Sequence, residues 1–340
     1  MATDQDRLVT VIVPVYNGGG YLDQCLAGVR RSSYRDYELI VVDNGSTDNS
    51  VAIAQAHGAR VAHCPGPSGP GAARNTGAKQ ATGQILLFVD ADVVVHDDVL
   101  DRVVARFIED PEVAAVFGSY DDRPPAKNFL SQYKNLLHHF VHQQANSQAT
   151  TFWGGCGAIR KDVFVNVGGF DQEKYPTPSI EDIELGDRMH RQGYRIWLDK
   201  RLQATHLKEW RWESFLRAEI LYRAIPWSRL ILERQGLVND LNLKMSQRAS
   251  AVVAGLFVTL LPLTVVLPSL AYGCLFLMGI FLLLNRNLFA FFLRRKGVLF
   301  STMTVPMHGL YFIYSGVTFV VVWLSYMRAG RRGAAVLGRQ

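Results

Sequence analysis

Cysteine is scarce in this chain and badly spaced for cross-linking. Its four copies, Cys25, Cys64, Cys156 and Cys274, show neither paired nor metal-type spacing, which argues against a disulfide scaffold or a thiolate-held zinc and suits a reducing compartment. They are read as free thiols. The polar opening Met1–Arg7 has neither the basic region nor the apolar core of a secretory signal, so the head of the chain is expected in the cytoplasm. Glycine-rich phosphate motifs are missing too. Asn17-Gly18-Gly19-Gly20 follows a strand pattern, but its consecutive glycines do not match Gly-x-Gly-x-x-Gly, and no Gly-Lys-Ser/Thr occurs. Dehydrogenase and P-loop readings lose their main support.

Charge is absent from two long stretches near the C-terminus, Ala249 to Leu284 and Val298 to Met327. A bilayer core of about 30 Å takes about 20 helical residues, so both read as membrane segments. The first is long enough for two short helices breaking near Pro268. The second is a further span with kink candidates at Pro306 and Gly309, and its His308 is expected to face a protein groove. The expected layout is a head over 1–212, an amphipathic interfacial helical region over 213–248, transmembrane helices over 249–327 with a basic loop at 285–297, and a basic tail over 328–340.

The net charge of +6 is carried largely around those apolar stretches, by Lys208, Arg211, Arg217, Arg223, Arg229, Arg234, Lys244 and Arg248, then Arg286 and Arg294–Lys296, then Arg328, Arg331 and Arg332. Such placement fits anionic headgroups and diphosphate, and no nucleic-acid fold signature accompanies it. If three segments cross, either one basic segment breaks the positive-inside rule or one apolar segment does not cross fully.

Residues 10 to about 118 alternate strand and helix signals, the pattern of a mostly parallel sheet with helices on both faces. Strands are predicted at 9–15, 38–43, 60–63, into Asp90, and 113–117; helices at about 21–31, 49–56, 72–81 and 99–109. Ser46 and Asp48 are natural caps for the second helix. Pro65–Gly71 is a loop whose glycines allow close approach.

Ile85-Leu86-Leu87-Phe88-Val89 is an apolar run that ends in Asp90-Ala91-Asp92. Carboxylates at the C-terminal end of a buried strand emerge where open α/β sheets bind ligands. Hard cations such as Mg²⁺ and Mn²⁺ take one or two protein carboxylates and complete their shell with water and substrate phosphate. The pair therefore points to a cation and a diphosphate ligand; a solvated turn is the bland alternative. A second pair, Glu181-Asp182, opens a helix after Pro176–Ser179, where a carboxylate ordinarily only caps.

Val11-Ile12-Val13-Pro14-Val15-Tyr16-Asn17, Val41–Asp48, Ala73-Arg74-Asn75-Thr76-Gly77, Asp90-Ala91-Asp92 and Glu181–Leu185 together resemble, in order, the family 2 glycosyltransferases of GT-A fold over about residues 9–225. The resemblance implies an α/β head of that fold with a C-terminal membrane-anchoring tail. It places Pro14, Tyr16 and Asp43 around the nucleobase and ribose of a nucleotide-sugar; Arg74 and Asn75, at a helix start after the glycine loop, are expected to meet phosphate or sugar hydroxyls, and the charges of Lys208 and Arg211 suit the leaving diphosphate. Asp92 would hold Mn²⁺ or Mg²⁺, with Asp90 close to the ribose or reaching the metal through water, and His206 approaching the metal or diphosphate. By the same carry-over the Glu181-Asp182 pair is catalytic, Asp182 taking the proton of an acceptor hydroxyl with inversion. Trp153, Gly154, Gly155 and Trp212 are acceptor-side candidates.

Structural alternatives stand beside several of these: capping for Asp43, a purely structural role for Arg74 or His206, core packing for Trp153, and a packed thiol for Cys156. The expected partners are a nucleotide-sugar donor, a lipid or lipid-linked acceptor and a membrane, with no nucleic acid. A polyprenyl-phosphate acceptor, and a non-catalytic nucleotide-sugar-binding subunit, are the alternatives. Lys208-x-x-Arg211-Trp212 departs from the Gln-x-x-Arg-Trp of processive synthases, which argues against processivity.

Overall fold

The computed structural model describes residues 8–66, 68–234 and 245–337, the last nine of these by backbone alone. Met1–Arg7, Pro67 of the glycine loop, Lys244 with the rest of 235–244, and the side chains of Arg331 and Arg332 lie outside the described residues. The chain divides after Trp210 into two compact units, two residues earlier than the sequence layout.

In the first unit, Val9–Val15 (β1) is buried along its whole length, as expected of a strand covered on both faces. Its partners Tyr37–Asp43 (β2) and Ile85–Val89 (β4) flank it in parallel, and Arg60–His63 (β3) adds a parallel strand beyond β2. Past β4 the sheet becomes mixed. Cys156–Arg160 (β8) runs antiparallel between β4 and Val113–Tyr120 (β6). Arg195–His206 (β9) lies parallel to β6 and antiparallel to Val93–Val95 (β5) and Gln148–Ala149 (β7). Among the described residues the order is β3-β2-β1-β4-β8-β6-β9-β5, with β7 beside β9.

The first helix, Leu22–Arg31 (α1), buries Leu22, Cys25, Leu26 and Val29, one stripe at helical spacing. Each such side chain contributes about 1.5–3 kcal/mol on leaving water. In Ser50–Ala56 (α2) the N-cap position falls on Asn49, whose side chain makes no capping hydrogen bond, rather than on Ser46 or Asp48. Asp48 still accepts the Ser50 N–H at 3.0 Å, which satisfies a first-turn donor. Gly69–Gln80 (α3) begins three residues before the expected start, because Gly69 itself turns the chain at φ +79°. Val99–Glu109 (α4), Phe129–Gln144 (α5), Lys161–Asn166 (α6) and Glu181–Arg191 (α7) complete the helices of this unit.

The second unit opens with Trp212–Arg217 (α8), a π-helical segment Ala218–Ala224, and Ile225–Glu233 (α9). Met245–Leu260 (α10) passes into a 3₁₀ turn at Leu261–Val265, and Leu270–Leu284 (α11) follows Pro268. The break expected at Pro268 is thus present. The basic loop expected at 285–297 is instead helix: Arg286–Leu337 (α12) contains it, interrupted only at Gly297 (φ 83°, ψ −178°). Charged side chains spaced along one apolar sequence read as loop, yet arginine and lysine are good helix formers. Pro306 lies inside α12, and the non-helical residue is Gly297, ahead of the expected kink.

Met245–Val265 and Arg286–Arg328 are long and apolar enough to cross a membrane, by length and composition. Leu270–Leu284, at 15 residues, is about 22 Å long, short of a bilayer core. His308 is buried, as expected for a groove-facing histidine, and its Nε2 lies 3.2 Å from Asn285 Oδ1.

Candidate active site

The site gathers at the C-terminal edge of the parallel strands. Asp90 follows β4 directly, and its N–H donates to the Gly155 carbonyl at 3.2 Å, bringing the Trp153–Gly155 turn to the strand end. Arg74 projects from α3 and is almost fully buried, at 3% exposure. Its Nη2 donates to Asp90 Oδ1 at 2.6 Å and its Nη1 to Glu181 Oε1 at 2.9 Å. One guanidinium therefore joins the strand-end acid to the acid pair at the start of α7. Its planar fork suits two carboxylates at once, which lysine's point charge does not.

Glu181 gives its other oxygen to the Ser179 N–H at 2.9 Å and is itself buried. Both its oxygens are thus engaged, one by Arg74 and one by the main chain. Arg74 likewise faces carboxylates where a phosphate contact was expected. Asp182 is partly buried and differently held: Oδ2 accepts the Gly154 N–H at 2.9 Å and Oδ1 the Ile183 N–H at 2.8 Å. Gly154 is packed so closely that a Cβ there would sit 3.3 Å from the Arg74 guanidinium carbon and 3.4 Å from Asp182 Cβ. Removal from water, then the charge of Glu181, raises the Asp182 carboxyl to about 6 against the partial relief of these hydrogen bonds and Arg74.

Asp92 leaves the strand two residues later. Its carbonyl accepts the Leu207 N–H at 2.8 Å and its Oδ2 lies 3.5 Å from His206 Nε2. Burial works against the Asp92 charge, but His206 and Lys208 outweigh it, so the carboxyl is held below its ordinary value. At Asp90 burial and the neighbouring Asp92 prevail over Arg74, and the carboxyl is raised. The two acids thus differ in environment: Asp90 is committed to Arg74, and Asp92 faces His206 and Lys208. Among the described residues no three acid, histidine or cysteine side chains gather as a closed metal cage. Asp92 and His206 side by side fit a hard cation that takes few protein ligands and completes its shell with phosphate and water.

Along the opposite flank, Asp43 closes β2. Its Oδ1 accepts the Ser46 N–H at 2.9 Å and its Oδ2 lies 3.4 Å from His63 Nδ1. Burial opposes its charge, but the Ser46 hydrogen bonds and His63 more than compensate and hold it below the ordinary range. Asp43 therefore holds the turn after β2, while α2 itself begins at Ser50. Tyr16 is 53% exposed and offers a free ring. Pro14 does not offer the expected flat surface; it is buried within β1, level with Val42. Pairing of β1 to β4 ends at Ile12, which leaves room for a residue without an N–H.

Lys208 Nζ sits 4.4 Å from the Trp210 ring centre. Trp153 is partly buried, its ring 4.8 Å from both Tyr120 and His138, and Gly155 fits under it, since a Cβ would come within 2.6 Å of the indole. Cys156 is buried in β8, and burial followed by the charge of Asp90 pushes its thiol up to about 12, so no thiolate is present to attack. Arg211 and Trp212 belong to the second unit: the Arg211 N–H donates to Ser214 Oγ at 3.2 Å at the start of α8, and Trp212, half exposed, packs edge-on to Phe215.

Sequence reasoning missed Tyr120, whose ring stacks on His206 at 4.3 Å, and the α5 residues behind it. Their signal was present only as polar residues at helical spacing, Asn135, His139, His142 and Gln143.

A model for glycosyl transferase family 2 matches residues 10–168, and one for the N-terminal domain of galactosyltransferase matches residues 134–209. The glycosyltransferase GlyG of Streptococcus pneumoniae is 33% identical over 119 residues, 34% of this chain and 39% of GlyG. The glycosyltransferase AglE of Haloferax volcanii is 38% identical over 169 residues, 48% of this chain and 55% of AglE. These matches span about half or less of the relatives' lengths. A mannosyltransferase of Pyrobaculum calidifontis, solved with GDP-Man and Mn²⁺, matches in fold with a TM-score of 0.50 at 19% identity, over 92% of this chain and 86% of its own. Residues 10–168 thus match the model of glycosyl transferase family 2, with their motifs in order on a sheet of GT-A fold.

Proposed function

We propose that this chain is a membrane-anchored, cation-dependent, inverting glycosyltransferase that moves a sugar from a nucleotide-sugar to a hydroxyl of a lipid or lipid-linked acceptor at the cytoplasmic membrane face. The observation that carries the proposal is the Arg74 bridge. Through it the acids at the end of β4 and those opening α7 are drawn together, as a reaction with a diphosphate leaving group on one side and a nucleophile on the other requires.

Each residue's task follows from its surroundings. Tyr16 and Asp43 flank the nucleoside, Asp43 offering the acceptor capacity left over from Ser46 and His63. Asp92 and His206 would hold Mn²⁺ or Mg²⁺, which when bound neutralises charge developing on the diphosphate. Lys208 adds positive charge beside Asp92. Asp182, fixed by the Gly154 and Ile183 amides, takes the acceptor proton as that oxygen bonds to the anomeric carbon and the bond to the diphosphate breaks. Attack opposite the leaving group inverts the anomeric centre. A carboxyl near 6 is suited to this, being ionised at neutral pH yet more basic than an ordinary aspartate.

Trp153 and the Gly154-Gly155 turn border Asp182 and are assigned to the acceptor side. Anchoring is supported by the tail: Val265, Tyr272, Leu275, Phe276, Val298 and Leu299 are each more than two-thirds exposed, an apolar surface that water disfavours. Cytoplasmic placement is supported by four free thiols. The test is release of nucleoside diphosphate from a panel of UDP- and GDP-sugars with Mn²⁺ or Mg²⁺, followed by transfer to lipid-extract acceptors. Turnover of one donor with either cation is expected; a wholly inert panel overturns the proposal.

A further inference from the structure

β6 and β9 run parallel, and their register slips. Phe117 is level with Leu198, but Ser119 is level with Gln203 and Tyr120 with Ala204; an unbroken register would set Tyr120 beside Arg201. Gly118 lies at the slip, where a Cβ would come within 2.0 Å of the Leu202 carbonyl oxygen. A glycine is what lets the bulged strand approach. Because alternate residues of a strand share a face, His206 stands on the face of Ala204 and becomes the diagonal neighbour of Tyr120. Their rings stack at 4.3 Å with 7° between planes.

Tyr120 is held from behind. His138 lies 4.3 Å away and Trp153 meets it edge-on at 4.8 Å. One face of α5 then fastens the strand itself: Asn135 Nδ2 donates to the Asp121 carbonyl at 2.7 Å, His139 Nδ1 meets that of Tyr120 at 2.8 Å, and His142 Nδ1 that of Gly118 at 2.9 Å. The polar face of α5 is buried because these carbonyls need donors. At the far side of the stack, His206 presents Nε2 to Asp92.

We propose that Tyr120 is a positioning residue for the cation site, its ring fixing the His206 imidazole so that Nε2 faces Asp92, and that the register slip at Gly118 puts it there. This rests on Asp92 and His206 being the cation ligands. Residues that orient a ligand typically contribute 10–100-fold to metal affinity.

The test titrates Mn²⁺ alone into the full chain in detergent, following the free-ion EPR signal, with thermal unfolding measured on each variant. Tyr120→Phe is expected to bind as the parent does. Tyr120→Met and Tyr120→Leu are expected to bind about tenfold more weakly; methionine keeps most of the bulk, so a loss shared by both at little change in unfolding temperature belongs to the flat ring. Gly118→Ala is expected to weaken binding with His206 intact. If Asp92→Asn and His206→Ala weaken binding while the Met and Leu variants do not, the positioning role is overturned. If Asp92→Asn and His206→Ala leave binding unchanged, the cation reading falls, and the proposal with it.

Discussion

Arg74 and Glu181 stand 107 residues apart in the chain, yet the guanidinium Nη1 donates to the carboxylate at 2.9 Å with both side chains nearly excluded from solvent. Its other arm reaches Asp90 at 2.6 Å. Breaking a buried pair by deleting one partner leaves an uncompensated charge and costs about 3–5 kcal/mol. Arg74→Met is therefore expected to destabilise the head by about 3 kcal/mol, read from denaturant unfolding. The double variant with Glu181→Gln should lose less than the sum, because one of the two carboxylates that Arg74 paired no longer carries a charge. Strict additivity would show that the two residues are not coupled.

The pH dependence of turnover tests Asp182. A protonated carboxyl cannot accept the acceptor's proton, so rate should rise with pH through an apparent value of about 6 and then level. Glu181→Gln removes a neighbouring negative charge that raises Asp182, and it should move the acidic limb to lower pH. A limb that stays in place would mean that another group controls it.

Asp182→Asn separates the acceptor classes. For a hydroxyl acceptor, loss of the general base should lower kcat by about 10²–10⁴ with donor binding retained. A phosphate acceptor is already ionised and needs no base, so a variant of full activity, measured with polyprenyl phosphate, would move the assignment there.

How far these residues were legible depends on what each motif says locally. Ile85–Val89 with Asp90 and Asp92, and Val41–Asp48 at the end of β2, announce themselves because a strand buried on both faces is an unbroken apolar run and its acids stand at the end. Glu181 and Asp182 were visible as a pair, but their division of labour was not, since it depends on which oxygen Arg74 reaches. Pro14 misled because the motif carries no sign of which strand edge stays paired. Likewise β8 and α5 were hidden: Cys156–Arg160 is too short and glycine-containing to read as a strand, and α5 buries histidines and amides against main-chain carbonyls, inverting the polar-outside pattern.

Cation removal gives a further expected outcome. EDTA should abolish donor turnover, and Mn²⁺ should restore it. Asp92→Asn should raise the Mn²⁺ needed for half-maximal rate by tenfold or more, on the order of other ligand-orienting losses. Turnover undiminished in EDTA would leave Asp92 and His206 without the role assigned to them.

In the tail, Asn285 is the polar centre of a buried cluster. Its Nδ2 donates to Ser250 Oγ on α10 at 3.0 Å, while its Oδ1 lies 3.2 Å from His308 Nε2 on α12. All three are buried, and Asn285 Nδ2 and Ser250 Oγ also donate to the Phe281 and Ser246 carbonyls, each at 2.9 Å. Asn285→Leu keeps the apolar packing but removes the amide that Ser250 Oγ and His308 Nε2 both face, at about 1 kcal/mol for each hydrogen bond lost. The expected result is a lower unfolding temperature in detergent with unchanged donor hydrolysis by the head. Replacing all three polar residues with apolar ones of similar size should recover much of the loss, since nothing is then left unsatisfied. A triple variant as unstable as Asn285→Leu would show that Asn285 acts by shape and not through its hydrogen bonds.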